Sequence, residues 1–325
     1  MNANEITTAI RRLTQNVERA FIGKPETVRL TLVALFAEGH LLLEDVPGVG
    51  KTLLGQALAR SLNATFSRIQ FTSDLVPLDV VGSEIYRPKT QDFEFVPGPI
   101  FANVVLADEI NRTSPRTQSA TLEATSERQV TSDGTTRPLP RPFFVVATEN
   151  PIEFEGTYPL AESQLDRFLM RLSIGYPDRA AERAVLEANR KAPALDSLEP
   201  VLSLDEVLEI QEAVREVQIA LEIIDYLLDV VDATRRSPDV LVGAGPRASL
   251  AFAQAVRAAA LVDGRDYAVP DDVKRLAVPV LAHRLVPKNY RAENRRRAVE
   301  SIVENVLATV VATGQASARI LHLAI

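Results

Sequence analysis

The sequence predicts an α/β domain built on a parallel sheet, followed by an all-α domain. Two textures along the chain carry that prediction. Up to about residue 175, short apolar runs bounded by turn residues alternate with helical segments, the pattern of strands buried on both faces of a layered fold. Beyond Tyr176-Pro177, helical periodicity dominates. A third observation agrees: 325 residues, 46% apolar and 24% charged, exceed one ordinary core and suit two.

The elements follow in order. His40–Leu43, Phe66–Phe71, Asn103–Ala107 and Phe143–Thr148 are the strand candidates. Between them, Leu53–Arg60 has helix-forming composition and follows a glycine-rich loop. In the second half, Ser203-Leu-Asp-Glu206 is a capping box opening an amphipathic helix towards Val217. Pro270-Asp271-Asp272 puts proline and two acids where a helix N-terminus favours them. The predicted domains are therefore 1–175 and 176–325.

Composition excludes several chemistries. There is no cysteine, so no disulfide, zinc-thiolate site, iron–sulfur cluster or thiol nucleophile. The three histidines, His40, His283 and His322, are scattered and offer no metal-ligand spacing. The longest uncharged stretch, Asn305–Ala318, is too short and polar to span a bilayer. The N-terminus lacks the basic-then-apolar order of a signal peptide, so the expected location is cytoplasmic. Residues 1–175 carry 17 Lys/Arg against 21 Asp/Glu, and residues 176–325 carry 19 against 22, so neither half has the basic excess that nucleic acid favours. No nucleic-acid partner is expected. The local cluster Arg295–Arg297 is the usual pattern of a solvated helix face.

Three motifs carry chemistry. Leu41-Leu-Leu-Glu44 leads into Asp45-Val-Pro-Gly48-Val49-Gly50-Lys51-Thr52 and then helix-forming residues from Leu53. Strand, glycine loop and helix are the context of a phosphate-binding loop. Backbone N–H groups over Gly48, Val49, Gly50, Lys51, Thr52 and Leu53 can curl round phosphate oxygens, and the helix N-terminus adds partial positive charge. Lys51 would reach the β- and γ-phosphates, and the Thr52 hydroxyl would help hold Mg²⁺. The strict pattern asks for glycine where this chain has Asp45, whose carboxylate could oppose phosphate charge. Next, Asn103-Val-Val-Leu-Ala-Asp108-Glu109 is an apolar run ending in two acids, about 55 residues after the loop. Asp108 can hold Mg²⁺ and Glu109 can polarise a water. Third, Phe143–Thr148 ends in Glu149-Asn150-Pro151, where the Asn150 amide can position that water or touch the γ-phosphate. Taken singly, each has a plainer reading: a chance Gly-Lys-Thr turn, a solvated strand end, an Asn-Pro turn. Their order is what points to a nucleotide.

With Gln164-Leu-Asp-Arg-Phe168 and Gly243-Ala-Gly-Pro-Arg-Ala248 added, the chain resembles the AAA+ ATPases, specifically the MoxR family, over nearly its whole length. The resemblance implies a P-loop NTPase fold, a three-layer α/β/α domain with a small helical lid, and ATP and Mg²⁺ as cofactors. It implies Walker A roles for Lys51 and Thr52, Walker B roles for Asp108 and Glu109, and a sensor 1 role for Asn150. Arg167 matches the arginine finger, with Arg171 as the competing candidate and an ion pair with Asp166 or another acid as the plain alternative. Arg247 matches the sensor 2 arginine, acting on its own nucleotide or a neighbour's. Phe21-Ile22-Gly23 resembles the segment beside the adenine. A finger supplied to a neighbour requires head-to-tail contacts, and the family favours a hexameric ring. A von Willebrand factor A domain protein and a protein client are the implied partners.

Ser83–Tyr86 with Asp92–Val96 alternate like a hairpin within an insert at about 80–99, and Arg128–Thr131 with Thr135–Leu139 form a second around Asp133-Gly134. They resemble the helix 2 insert and the pre-sensor-1 hairpin of the clade. Tyr86, Phe93 and Phe95 either grip a client or pack the hairpins on the domain. The leading function is an ATP-hydrolysing remodeller that helps assemble, activate or load a partner complex. The alternatives are a nucleotide-dependent module with little turnover, kept alive by Asp45, and a magnesium-chelatase-like subunit. The chain has no Gly-Ala-Phe-Thr-Gly-Ala loop of the related transcription activators and no Asn-Lys-x-Asp guanine motif.

Overall fold

The computed structural model describes residues 1–132, 134–150, 156–188, 194–289 and 294–310. Asp133, Pro151, His322 and the part of the uncharged stretch beyond Val310 lie outside them. Helices α1 (Ala3–Ala20) and α2 (Pro25–Phe36) precede β1 (Leu41–Glu44), α3 (Lys51–Ser61), β2 (Phe66–Gln70) and α4 (Pro77–Val81). Then come β3 (Gly82–Arg87), β4 (Asp92–Pro97), β5 (Val104–Asp108), α5 (Pro115–Glu127), β6 (Gln129–Ser132), β7 (Thr135–Pro138) and β8 (Phe144–Glu149). The chain continues through α6 (Glu162–Leu165), β9 (Met170–Leu172), α7 (Arg179–Ala188), α8 (Leu204–Glu216) and α9 (Leu221–Arg236). It closes with β10 (Val240–Val242), α10 (Pro246–Val262), α11 (Pro270–Leu281), β11 (Val286–Pro287) and α12 (Arg295–Thr309).

Five strands form one parallel sheet in the order β2-β5-β8-β1-β9. The alternation of side chains explains why these runs are apolar throughout. Leu41, Leu43, Val104, Leu106, Phe144 and Val146 enter one core, while Leu42, Val105, Ala107, Val145 and Ala147 enter the other. The first core continues without a break through α1, α2 and α3 into α8–α12, so the lid helices and one face of the sheet are packed together. The second lies under α4, α5 and the hairpins.

The four expected strands are present, three of them reaching one residue further so that Glu44, Asp108 and Glu149 end the ladders. β9 was not expected, because Arg171 interrupts its apolar run. The capping box at Ser203 is formed: Glu206 N donates to Ser203 Oγ at 3.2 Å, and Ser203 N donates to Glu206 Oε2 at 2.7 Å. Pro270 opens α11 as expected. Because all five strands are parallel, the loops after β1, β5 and β8 gather at one edge of the sheet, where open α/β sheets bind ligands.

Candidate active site

The loop between β1 and α3 has the backbone that phosphate binding needs. Gly48 and Gly50 adopt positive φ, 84° and 95°, which glycine takes without strain. A Cβ at Gly48 would meet nothing within 4 Å, so the loop faces open space there. Gly50 ends the loop as the α3 N-cap with no side-chain cap, leaving the first-turn N–H groups of Lys51, Thr52 and Leu53 directed at that space. Lys51 curls back over the loop, its Nζ donating to Asp45 O at 2.6 Å and Glu149 O at 3.5 Å. Burial lowers its pKa against the pull of Asp108, Asp45 and Glu109. Phe21 lies against Gly50, 3.1 Å from where a Cβ would stand, and Gly23 packs so closely on Ala181 of α7 that no side chain fits. The Phe21-Ile22-Gly23 segment therefore borders the phosphate loop.

Asp45 is turned away from the phosphate space. One carboxylate oxygen accepts from Gly175 N at 2.6 Å and Ser173 Oγ at 2.9 Å, and the other from Val46 N at 2.9 Å. Burial opposes ionisation, but these donors and Ile174 N hold the carboxyl below the usual carboxylate range. Its work is to tie the start of the loop to the segment after β9.

β5, buried along its whole length, delivers the two acids. Asp108 Oδ1 accepts from Thr148 Oγ1 of β8 at 2.7 Å, and Oδ2 accepts from Arg68 of β2 at 2.6 and 3.1 Å. Glu109 stands in the left-handed region, φ 58°, uncommon for a residue with a side chain. The same Thr148 hydroxyl accepts Glu109 N at 2.8 Å and fixes that turn. The Glu109 carboxylate accepts from Gln70 Nε2 at 2.9 Å and Arg112 Nη1 at 3.4 Å. Asn150, buried, follows β8 at the same edge. Thr148, Arg68 and Gln70 were missed from sequence. The available signal was the Arg-Ile-Gln-Phe alternation, which sets Arg68 and Gln70 on one face of β2.

Arg167 and Arg247 lie elsewhere. Both line an open cleft of about 460 Å³ with Gly39, His40 and Arg128, at the edge of the sheet where β1 begins. Extended backbone rises about 3.3 Å per residue, so the six residues from Gly39 to Asp45 put this cleft about 20 Å from the phosphate loop. Arg167 Nη1 donates to Leu122 O and Ser126 Oγ at the end of α5, at 2.9 and 3.0 Å. Its expected alternative partner Asp166 pairs instead with Arg247 at 3.6 Å and Arg284 at 2.9 Å. Arg171, the competing candidate, lies half-buried in β9 and is paired with Glu44 at 3.2 Å. His40 is structural, its ring engaged with Thr125 O and Val145 N, and burial pushes its pKa down to about 4.

Arg295 and Arg296 are not a solvated face. Arg295 pairs with Glu162 at 3.0 Å, and Arg296 donates to Glu44 O at 2.7 Å and pairs with Glu300, clamping α12 to the strand that precedes the loop. Arg297 alone is exposed. Beneath the loop, Glu44 and Glu149 are paired residues of neighbouring strands. Burial, then the Glu44 charge, push Glu149 up to about 7 against the pull of Arg171 and Arg295.

Both hairpins form, with β3 paired to β4 and β6 to β7. The aromatics divide between the two expectations. Phe95 packs edge-on to Phe101 and is covered by Arg137 of β7, 3.9 Å from its ring centre, while Arg137 also pairs with Glu84 at 3.1 Å. Phe93 is 63% exposed and Tyr86 49%, and their rings, cross-strand partners near the hairpin tip, lie 5.4 Å apart.

Comparison with known proteins places these features in a wider group. The family model described as ATPase family associated with various cellular activities (AAA) matches residues 40–170, and an AAA lid domain model matches 232–306. The uncharacterised protein YeaC of Bacillus subtilis is 48% identical, covering 94% of this chain and 95% of that protein. Chaperone MoxR1 of Mycobacterium tuberculosis is 43% identical over 95% of this chain and 83% of its own. Protein MoxR of Methylorubrum extorquens is 30% identical over 94% and 95%. A crystal structure of a candidate ATPase from Cytophaga hutchinsonii superposes with a TM-score of 0.88 at 36% identity, covering 96% of this chain and 97% of that one.

Proposed function

The chain belongs to the MoxR family of AAA+ ATPases, and on that premise we propose that it hydrolyses ATP at sites shared between neighbouring subunits of a ring, hexameric in the family, and spends each cycle remodelling a protein client. One observation carries this reading: Lys51, Asp108, Glu109 and Asn150 gather at one edge of the sheet, and Arg167 and Arg247 at the other. Two half-sites about 20 Å apart on one chain meet only when subunits stack head to tail.

The residues present suit the nucleotide. The left-handed glycines, the open space at Gly48 and the uncapped N-terminus of α3 form a nest for phosphate oxygens, with Lys51 beside it. They also suit Mg²⁺, which would neutralise phosphate charge: Asp108 and the Thr52 hydroxyl are oxygen donors. Magnesium takes oxygen ligands and is commonly held by one or two protein groups together with phosphates and water. Glu109 is set to take a proton from the attacking water, and Asn150 to orient it. Arg167 and Arg247 act on the neighbour's phosphates, where positive charge stabilises the transition state. The carboxylate that favoured a module without turnover is engaged by Gly175 and Ser173 instead of facing the loop.

The client side is drawn from the resemblance and from the exposed Phe93 and Tyr86. It includes assembly, activation or metal or cofactor loading of a complex with a von Willebrand factor A domain partner. No helix among the described residues is long and apolar enough to cross a membrane, and the reading places the protein in the cytoplasm. Steady-state phosphate release tests the proposal. Wild type should turn over faster per subunit as concentration drives assembly, and Glu109→Gln should lose about 10²-fold or more. Equal rates for the two proteins under assembly conditions refute hydrolysis.

A further inference from the structure

The short segment that carries Arg167, between α6 and β9, is gripped by one buried side chain of the lid. Arg284 stands in the single helical turn Ala282–Arg284 that follows α11. Its Nη2 donates to Phe168 O at 2.7 Å and its Nη1 to Leu169 O at 3.3 Å. Its Nε donates to Asp166 Oδ1 at 2.9 Å, and Nη1 also donates to Val280 O in the last turn of α11. The neighbouring His283 adds a second donor, Nε2, to Phe168 O at 3.1 Å. A guanidinium buried this deeply persists only with its charge paired and its N–H groups engaged, and both conditions are met by residues 166–169 and α11. The second oxygen of the same carboxylate, Asp166 Oδ2, lies 3.6 Å from Arg247 in the first turn of α10. A cation there opposes the positive end of the helix dipole, and Asp166 offsets it. One carboxylate beside Arg167 thus joins a buried lid arginine to an exposed one.

We propose that Arg284, acting through Asp166 and the Phe168 and Leu169 carbonyls, is the positioning residue that presents Arg167 and Arg247 to the neighbouring subunit as one unit. This rests on the shared-site ATPase reading above. All three nitrogens of Arg284 are engaged within the chain, so it touches no phosphate itself. Arg247 is different: its side chain is exposed and held by one long contact, so it can move onto a phosphate. Arg167 is fixed on its other side by Leu122 O and Ser126 Oγ of α5, which leaves its segment clamped between the sheet domain and the lid. Only a planar guanidinium reaches an acid and the carbonyls around it together; a lysine at this place would not. Charges that stabilise a transition state act best when already in place, and a misplacement of about 1 Å costs about 10²-fold.

The test uses the full chain, steady-state phosphate release, and rings assembled from equal amounts of two variants. Arg284→Ala should lower kcat by about tenfold to a hundredfold, yet bind an unhydrolysable ATP analogue at its own phosphate loop as wild type does. Mixing then separates the two halves of the site. With Glu109→Gln, which keeps its arginines, Arg284→Ala should recover about a quarter of wild-type release, because about one interface in four joins an intact Glu109 to an intact arginine pair. With Arg167→Ala it should recover nothing beyond the two variants alone, since both lack the same half. Asp166→Asn keeps the shape of a partly exposed side chain and should give the same two results, so it decides the question if Arg284→Ala fails to assemble. Recovery with Arg167→Ala would put Arg284 to work on its own subunit's nucleotide and overturn the proposal. Undiminished kcat in both variants would overturn it too, as would failure of both to recover with Glu109→Gln, the mark of a purely structural role. Wild type no faster than Glu109→Gln, or no recovery when Glu109→Gln is mixed with Arg167→Ala, would instead overturn the shared-site reading, and this inference with it.

Discussion

Replacing Asp45 by glycine restores the strict phosphate-loop pattern, so it separates two accounts of that carboxylate. In the structure, Asp45 is 7% exposed and accepts from Gly175 N, Ser173 Oγ and Val46 N. A hydrogen bond to a charged group is worth about 1.5–3 kcal/mol, and water can recover part of this at exposed Ser173. Adding the extra chain entropy of glycine, about 0.5–1 kcal/mol, Asp45→Gly should cost about 2–4 kcal/mol near neutral pH. The pH dependence has a definite sign. A carboxyl held below its ordinary range contributes fully above the unfolded value and loses that contribution as pH falls through the folded one, so the gap from wild type narrows in acid. Urea midpoints across pH measure this, and calorimetry with an ATP analogue measures affinity. If Asp45 instead faced the phosphates, its removal would relieve repulsion of about 2–4 kcal/mol at an effective dielectric of 20, a gain of more than tenfold in affinity. The structure predicts a less stable variant with no such gain. Unchanged stability together with tenfold tighter nucleotide would refute the reasoning.

Glu149 supplies a prediction of the opposite sign. Its folded value, about 7, lies above that of an ordinary glutamate, so its contribution to wild-type stability is lost as pH rises from about 4.5 to 7. Glu149→Gln should therefore gain on wild type across that window, by about 1–3 kcal/mol above it, read as melting midpoints at pH 5 and pH 8; parallel midpoints would refute the coupled Glu44–Glu149 pair. At the hairpin tip, Phe93→Ser and Tyr86→Ser should abolish client-stimulated turnover while costing no more than about 1 kcal/mol, the worth of the cross-strand aromatic pair that each one breaks between exposed side chains. Undiminished stimulation would remove the tip from client contact.

The parallel sheet was legible because its strands are buried on both faces and so are apolar throughout, and the loops that follow them announce their chemistry in glycines and acids. The motif residues fell at one edge for the same reason: parallel strands end together. Less legible was everything that depends on which way a side chain turns. Asp45 appeared as a threat to phosphate binding because only its position was known, not its donors after β9. Arg295 and Arg296 passed for a solvated face because their partners, Glu162 and Glu44, are more than a hundred residues away. β9 is three residues long with Arg171 at its centre, and only its place beside β1 makes it a strand. The lid also hides its dependence on the N-terminus. α1 and α2 precede the sheet in sequence, yet they share one core with α8–α12.

The central claim is that each active site belongs to two subunits, and mixing two inactive variants tests it most directly. Glu109→Gln retains Arg167, and Arg167→Ala retains Glu109. In rings assembled at random from equal amounts, about one interface in four joins an intact Glu109 to an intact Arg167, so the mixture should recover about a quarter of wild-type phosphate release while each variant alone stays near background. No recovery from mixed rings, or full activity of Arg167→Ala by itself, would contradict the account.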